Sequence, residues 1–195
     1  MNGWTDLTVP AEPVDLFHVS ERSGIIRFEP RPLPREVPDL GHPVVWAVDE
    51  PHLCNYLLPR SCPRVTFRAG PGTTAADAGK FMKPGHTHHV VAVESGWMPA
   101  IRAARLSLYR FDPTGFEIQD PAAGYYVSSE AVTPIEEIIV SDLIEAIGSC
   151  GVEFRVLDSL WELRELVIGS TLEYSIIRMR NAAPLEGLAP FHPLP

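Results

Sequence analysis

The stretch VVWAVDEPHLCNY, residues 44–56, changes from one secondary-structure pattern to another at its centre. Its first part is apolar and rich in β-branched residues, which is typical of a buried strand. Asp49 then stands where a helix N-cap belongs, and Pro51 falls within the first helical turn, where its missing N–H is tolerated. We therefore predict a strand over 44–48 that leads directly into a helix over 50–58.

The chain on either side of this stretch continues to alternate between strand and helix patterns. The segment RVTFR, residues 64–68, alternates polar and apolar residues with a period of two, as a strand with one buried face does. These patterns predict an α+β fold with a mixed or antiparallel sheet and flanking helices. The segment from Tyr174 onward is ambiguous. The further predicted strands are 14–19, 89–94, 106–111, 125–128 and 152–156, with 136–140 as an extension of the sheet, and the further helices follow Thr74 and cover 97–104, 142–148 and 160–172.

Length and composition predict one domain with a hydrophobic core. The chain has 195 residues, of which 45% are hydrophobic, so wholesale disorder is excluded. Many of its 20 prolines fall in the first 60 residues and in the last dozen. We expect a flexible leader over 1–13, a single α+β domain over 14–181 and a Pro-rich tail over 182–195.

Charge and cysteine content narrow the class of partner and the compartment. A net charge of −9 argues against sequence-independent nucleic-acid binding, which needs a basic surface. Three cysteines without a CxxC motif predict reduced thiols and a cytoplasmic location. The chain shows no signal-peptide pattern and no apolar run long enough to span a membrane. We therefore expect a small-molecule ligand, with no nucleic acid and no membrane as partner, and the oligomeric state stays open.

The densest group of potential metal ligands is GHTHH, residues 85–89, followed by Glu94. An HxH pair on a strand places two imidazoles on one face, and a downstream carboxylate can complete a metal site, as in cupin-type proteins. Here His86, His88 and Glu94 lack an evident fourth ligand. We predict that they bind no metal, and a metal-dependent enzyme at these three residues is kept as an alternative.

Nucleophile motifs are weak in this chain. There is no GxSxG sequence around any serine, which excludes the nucleophile elbow of an α/β-hydrolase. Cys54 has His52 close to it in sequence, but residues two apart on a helix point away from each other. We predict that these two side chains do not form a nucleophilic pair.

A histidine and a serine share one face of the first predicted strand. In the segment LFHVS, His18 and Ser20 are two residues apart, so strand alternation turns both side chains to the same side. Such a pair commonly holds a ribose or another diol. The alternative is a histidine that satisfies its hydrogen bonds within the protein and has a purely structural role.

Together with the strand and helix of residues 44–56, the His18-Val19-Ser20 element resembles the start of the ADP-ribosyltransferase fold. The resemblance covers about 60 residues through short motifs. It implies that His18 grips an ADP-ribose diol. It also implies that Trp46 and Tyr56 sandwich a nicotinamide ring, so that a NAD-like dinucleotide is the possible cofactor.

The sequence departs from that family at its third element, a late strand that carries a catalytic glutamate. The best candidate strand is GYYVS, residues 124–128, in which Tyr126 and Ser128 are candidate ligand-binding residues. The position expected for the glutamate is held by Gly124 or Tyr125, and Glu130 follows five residues later. Glu130 is therefore the candidate catalytic residue. Without a glutamate at the family's usual position, the transfer chemistry loses its main electrostatic support.

A second resemblance covers more of the chain. The segments FHVSE, WAVDE, YYVS and EYSIIRMRNA, spread over residues 14–182, are similar to an uncharacterised bacterial family of unknown function. That resemblance implies no known activity.

Taken together, these features predict a ligand cleft whose floor is formed by His18, Ser20, Trp46, Tyr56 and Tyr126. One hypothesis is a transferase or glycohydrolase that acts on a nicotinamide nucleotide or another ADP-ribose-like ligand. The other is a binding module that holds a nucleotide without turnover, which the missing glutamate favours. The segment RMRN, residues 178–181, offers phosphate contacts to any of these hypotheses, although a solvated strand end is the explanation that the sequence favours.

Overall fold

The computed structural model describes residues 14–32, 41–82, 87–121 and 123–184. Within them, helices and strands combine in an α+β architecture that is built around two sheets, as the sequence patterns predict for the fold class. The predicted leader over 1–13 and the tail beyond residue 184 lie outside the described residues. None of the helices in the described ranges is long and apolar enough to cross a membrane.

The first sheet has six strands in the order β6-β7-β2-β1-β5-β8, and every neighbouring pair is antiparallel. The predicted strand over 44–48 is confirmed with a shift of one residue. Strand β6 was missed by the sequence patterns because all four of its residues are exposed, so no buried face marks it. The strands are β1 (Leu16–Ser20), β2 (Val45–Asp49), β5 (Leu106–Phe111), β6 (Glu117–Asp120), β7 (Tyr125–Ser128) and β8 (Glu136–Val140).

The second sheet has four strands in the order β10-β3-β4-β9. Its β4–β9 pair is parallel and its other pairs are antiparallel, so the sheet is mixed. The ambiguous segment from Tyr174 belongs to its edge strand β10, in which no residue is buried. The strands are β3 (Arg64–Arg68), β4 (His89–Glu94), β9 (Glu153–Leu157) and β10 (Glu173–Ile177).

Five short α-helices connect the strands, and three of them begin at the residues that the sequence nominates. The side chains of Asp49, Thr74 and Asp142 each accept a hydrogen bond from the backbone N–H three residues later, which satisfies a donor at the helix start. The predicted helix over 50–58 is shorter than expected: it ends at Leu53 and continues as a 3₁₀ turn over Cys54–Tyr56. The helices are α1 (Glu50–Leu53), α2 (Ala75–Phe81), α3 (Met98–Ala103), α4 (Leu143–Ser149) and α5 (Trp161–Ile168).

The two sheets pack against each other through a central apolar cluster. Phe17 and Val48 reach it from the first sheet, and Val91 and Val93 reach it from the second. Ile147 of α4 is completely buried in the same cluster. Because strand side chains alternate, the opposite face of each sheet needs its own cover. Helices α2 and α5 cover the second sheet, and the chain around Phe28 covers the first.

The central cluster makes the position of α4 testable. We expect Ile147→Ala to lower the free energy of unfolding by about 2–5 kcal/mol, because the change leaves a cavity in a packed interior. Ile144→Ala is the matched control on the same helix: Ile144 is only partly buried, so its loss has a smaller effect. Urea denaturation measures both values, and equal effects at the two positions would contradict this packing.

Candidate functional site

Three aromatic side chains meet at one end of the layer between the sheets. The Trp46 ring lies 5.5 Å from the Tyr125 ring at an interplanar angle of 74°, an edge-to-face contact. The Tyr56 ring lies 5.9 Å from the Tyr125 ring, and the Tyr56 hydroxyl donates to the Tyr125 hydroxyl at 2.5 Å. The structure therefore brings together the two aromatics that the sequence nominates, and Tyr125 is the residue that joins them.

Tyr126, which the sequence analysis placed in the cleft, lies on the other face of the first sheet. In the β2–β7 ladder Trp46 pairs with Val127 and Ala47 pairs with Tyr126. Paired residues turn their side chains to the same face, so Tyr126 shares a face with Ala47, and both pack with the cluster beneath Phe28. Trp46 and Tyr125 share the opposite face. The register of β2 against β7 decides which of the two adjacent tyrosines, Tyr125 or Tyr126, faces the Trp46 ring.

His18 is held where β1 and β2 separate. The paired positions of these strands end at Phe17 and Val48, and the His18 Nδ1 atom lies 2.9 Å from the Trp46 carbonyl oxygen. A carbonyl only accepts hydrogen bonds, so Nδ1 carries the hydrogen of a neutral ring. Burial lowers the pKa of His18, the bond to the Trp46 carbonyl raises it, and the charges of Arg31 and Arg60 lower it further. The ring also packs 4.8 Å from that of Phe28.

The remaining nominated polar residues have local contacts. The Ser20 hydroxyl accepts from the backbone N–H of Arg22 at 3.0 Å, as in a turn. The buried Ser128 hydroxyl accepts from the Glu130 N–H and bonds the Glu130 carbonyl oxygen, so it shapes the end of β7. Glu130 itself is exposed beyond that strand. None of these three side chains is brought to the Trp46–Tyr125–Tyr56 group by a described contact.

Asp49 and His52 form a carboxylate–imidazole pair that was not predicted from the sequence. The pair lies between β2 and the 3₁₀ turn that carries Tyr56. Asp49 caps α1, and the same Oδ1 atom lies 2.5 Å from the Nδ1 atom of His52. Gly124 packs so closely against both side chains, at φ +68°, that a side chain there would overlap with them. A carboxylate acceptor fixes the hydrogen on Nδ1, so Nε2 is left as an acceptor. Nε2 is buried and has no partner among the described residues.

That imidazole lines a narrow polar cavity of about 20 Å³, which is the size of one water molecule. The second sheet provides its opposite wall. Alternation along β3 turns Arg64, Thr66 and Arg68 toward α1 and the 3₁₀ turn, while Val65 and Phe67 pack beneath the sheet with α2 and α5. The cavity is lined by His52, Asn55, Thr66, Phe67, Arg68, His89, Ala123, Glu173, Tyr174 and Ser175.

Most polar groups around the cavity are paired and neutralised. Arg68 forms an ion pair with Glu173 at 2.7 Å. His89 donates through Nε2 to the Asn55 amide oxygen at 2.9 Å, and its ring lies 3.7 Å from the Cys54 sulfur. Burial raises the pKa of the Cys54 thiol to about 12, so this cysteine is protonated and unreactive. Its histidine neighbour is His89 rather than His52, in agreement with the predicted separation of Cys54 from His52.

His88 and Glu94, two of the three residues in the metal alternative, do not share one site in the structure. His88 precedes β4 and Glu94 ends it, so six residue steps of extended chain separate them by about 20 Å. The Glu94 carboxylate is buried and accepts from the backbone N–H groups of Leu160 at 3.2 Å and Ala183 at 2.8 Å. His86 lies outside the described residues. In the part of the chain that the structure describes, no three potential ligands cluster as a metal site would require.

The fold and the site together define an α+β domain with a polar, aromatic-walled layer between two sheets. The chain belongs to a family of unknown function, DUF6886, whose model matches residues 17–182. This agrees with the second of the two resemblances noted in the sequence. Comparisons with the curated proteins and with the solved structures returned no match.

The environment of His89 predicts a pH-dependent stability. Burial lowers its pKa from 6.5 to about 4, so the unfolded chain takes up a proton before the folded protein does. Stability is therefore lost as the pH falls from 6.5 toward 4, by up to about 1 kcal/mol per pH unit for this partly exposed ring. His89→Gln keeps an amide donor for Asn55 and removes the titration, so its unfolding free energy should fall less steeply. Parallel slopes for the two proteins in urea titrations at pH 5.0–6.5 would contradict this assignment.

Proposed function

We propose that this domain binds a nucleotide-like small molecule, of the NAD or ADP-ribose type, at the Trp46–Tyr125–Tyr56 group. The observation that carries the proposal is the meeting of these three aromatics at a position that is not closed over, since Trp46, Tyr56 and Tyr125 are each only partly buried. Aromatic side chains at a ligand site bind planar rings by stacking, with little dependence on the ring's identity.

The tautomer of His18 supports a diol as the second part of the ligand. Because Nδ1 donates to the Trp46 carbonyl, the other ring nitrogen of the neutral imidazole is an acceptor for a hydroxyl group. The His18 ring packs on Phe28, on the face of the first sheet that carries Ala47 and Tyr126 and opposite the Trp46 ring. A ligand that contacts both His18 and the aromatic group therefore has to span the place where β1 and β2 separate. The charges of Arg31 and Arg60, which act on His18, favour an anionic ligand here.

Binding without turnover is the form of the proposal that the site favours, because Glu130 stands exposed beyond β7. A transferase or glycohydrolase is the second candidate, and the Asp49–His52 pair is what favours it. A histidine oriented by a carboxylate, with its second nitrogen free and next to a water-sized cavity, is the arrangement of a general base. In this candidate His52 accepts the proton of a water whose oxygen bonds to the ligand's anomeric carbon, while the carbon–nitrogen bond to nicotinamide breaks and nicotinamide leaves with that electron pair.

Tyrosine substitutions on adjacent positions test the ring-binding face. We expect Tyr125→Leu to weaken NAD binding about tenfold, since one stacking contact is lost. Tyr126→Leu is the matched control, because Tyr126 points to the other face and its loss should affect stability rather than affinity. Tryptophan fluorescence quenching reports binding, with Trp46→Phe expected to remove the signal and Trp161→Phe to retain it. A Tyr126→Leu protein that loses affinity while Tyr125→Leu does not would reverse the assignment.

A ligand lacking the diol tests His18. Adenosine should bind more tightly than 2′,3′-dideoxyadenosine to the wild type, by about fivefold or more, as one hydrogen bond contributes. His18→Ala should bind the two compounds equally, because the acceptor for the hydroxyl is gone. Glu130→Gln should leave both affinities unchanged. Discrimination that persists in His18→Ala would separate His18 from the ligand.

A further inference from the structure

Arg64, the first residue of β3, is a buried cation without a carboxylate partner. Only 4% of its surface is exposed. One guanidinium nitrogen, Nη1, donates to the carbonyl oxygens of Pro59 at 3.2 Å and Cys62 at 3.1 Å. The Nε atom is buried with no acceptor among the described residues, and none of the ion pairs there involves Arg64. Removing a charge from water without a counter-charge is strongly unfavourable, so this position calls for an anion.

A second arginine lies beside the first. Arg64 pairs across the ladder with Ile177, and Arg178 follows directly where β10 ends. Arg178 has a left-handed backbone at φ 58°, which costs energy for a residue with a side chain and recurs at ligand sites. The charge of Arg178 acts on Arg64 and lowers its pKa further, after burial, which is the main cause. Two like charges are therefore held together on one side of the cleft.

Hydroxyl donors complete the surroundings of the two arginines. Strand alternation turns Arg64 toward the 3₁₀ turn that carries Tyr56. Burial lowers the pKa of Arg64, and the electrostatic interactions with Tyr56 and Tyr125 raise it. The hydrogen of the Tyr56 hydroxyl goes to the Tyr125 oxygen. The hydrogen of the Tyr125 hydroxyl is thereby left to donate to a further acceptor. Guanidinium and hydroxyl donors around one point are the chemistry that recognises phosphate oxygens.

We propose that Arg64, Arg178 and the Tyr125 hydroxyl bind a phosphate group. A phosphate carries close to two negative charges at neutral pH and neutralises the two arginines. Tyr125 belongs both to this phosphate site and to the aromatic group, so the phosphate is the anionic part of the ligand proposed above. The identity of that ligand rests on the proposed function, whereas the anion site rests on the burial of Arg64 alone.

Binding of inorganic pyrophosphate, measured by calorimetry at constant ionic strength, tests the site without a nucleotide. The wild type should bind it, and its melting temperature should rise more in pyrophosphate than in chloride. Arg178→Gln should weaken the affinity about tenfold or more, because one charge-assisted contact is lost, and Arg178→Lys should recover part of it. Arg105→Gln, an exposed arginine between α3 and β5, is the matched control and should bind as the wild type does.

Arg64→Met tests the buried charge itself, and it should abolish pyrophosphate binding; if it does not fold, Arg178→Gln still decides the question. Pyrophosphate binding that Arg178→Gln leaves unchanged, or no binding by the wild type at millimolar concentrations, would overturn the phosphate site.

Uncharged adenosine separates the two proposals. If pyrophosphate binds and adenosine does not, the anion site stands and the ring site fails. If NAD binds equally well to the wild type and to Arg178→Gln, the ring site stands and the anion site fails.

Discussion

The second sheet is covered on both faces, and the pleat of its strands decides which residues lie on which side. Along β3 the apolar Val65 and Phe67 pack with α2 and α5, so Arg64, Thr66 and Arg68 must face the first sheet. This constraint puts polar and charged side chains into the layer where the two sheets meet. The cavity, the aromatic group and the paired arginines all depend on that placement.

Polar groups in such a layer are stable only if each finds a partner or loses its charge. Arg68 has Glu173, His89 has Asn55, and the thiol of Cys54 stays protonated in its buried position. The Nε atom of Arg64 and the Nε2 atom of His52 are two buried nitrogens that have no partner among the described residues. Both lie in the layer between the sheets, one at the aromatic group and the other at the cavity. Ser175 of β10 lines the cavity, and Arg178 follows where the same strand ends.

Local interactions explain why the elements of the fold could be read from the sequence. The strands 64–68, 89–94, 106–111, 125–128 and 136–140 have the predicted bounds, and Asp49 caps α1 as predicted. The predicted elements were wrong where the burial of a segment does not follow from its local sequence pattern. Strand β6 is wholly exposed, and α5 ends at Ile168 rather than at residue 172, with Gly169 as its C-cap. The candidate site was predicted less completely. Trp46 and Tyr56 each contact Tyr125, whereas the sequence nominated Tyr126.

The sequence by itself determined the fold class, the bounds of five strands and the Asp49 cap of α1, because these depend on side-chain period and on contacts a few residues apart. It also nominated His18 and Trp46 for one cleft, but not the hydrogen bond from the His18 ring to the Trp46 carbonyl oxygen. Only the tertiary structure decided that the strands form two sheets, that Arg64 is buried without a carboxylate, and that His52 meets both Asp49 and a cavity. These features arise between segments far apart in the chain, such as β3 and β10, whose pairing no local pattern encodes.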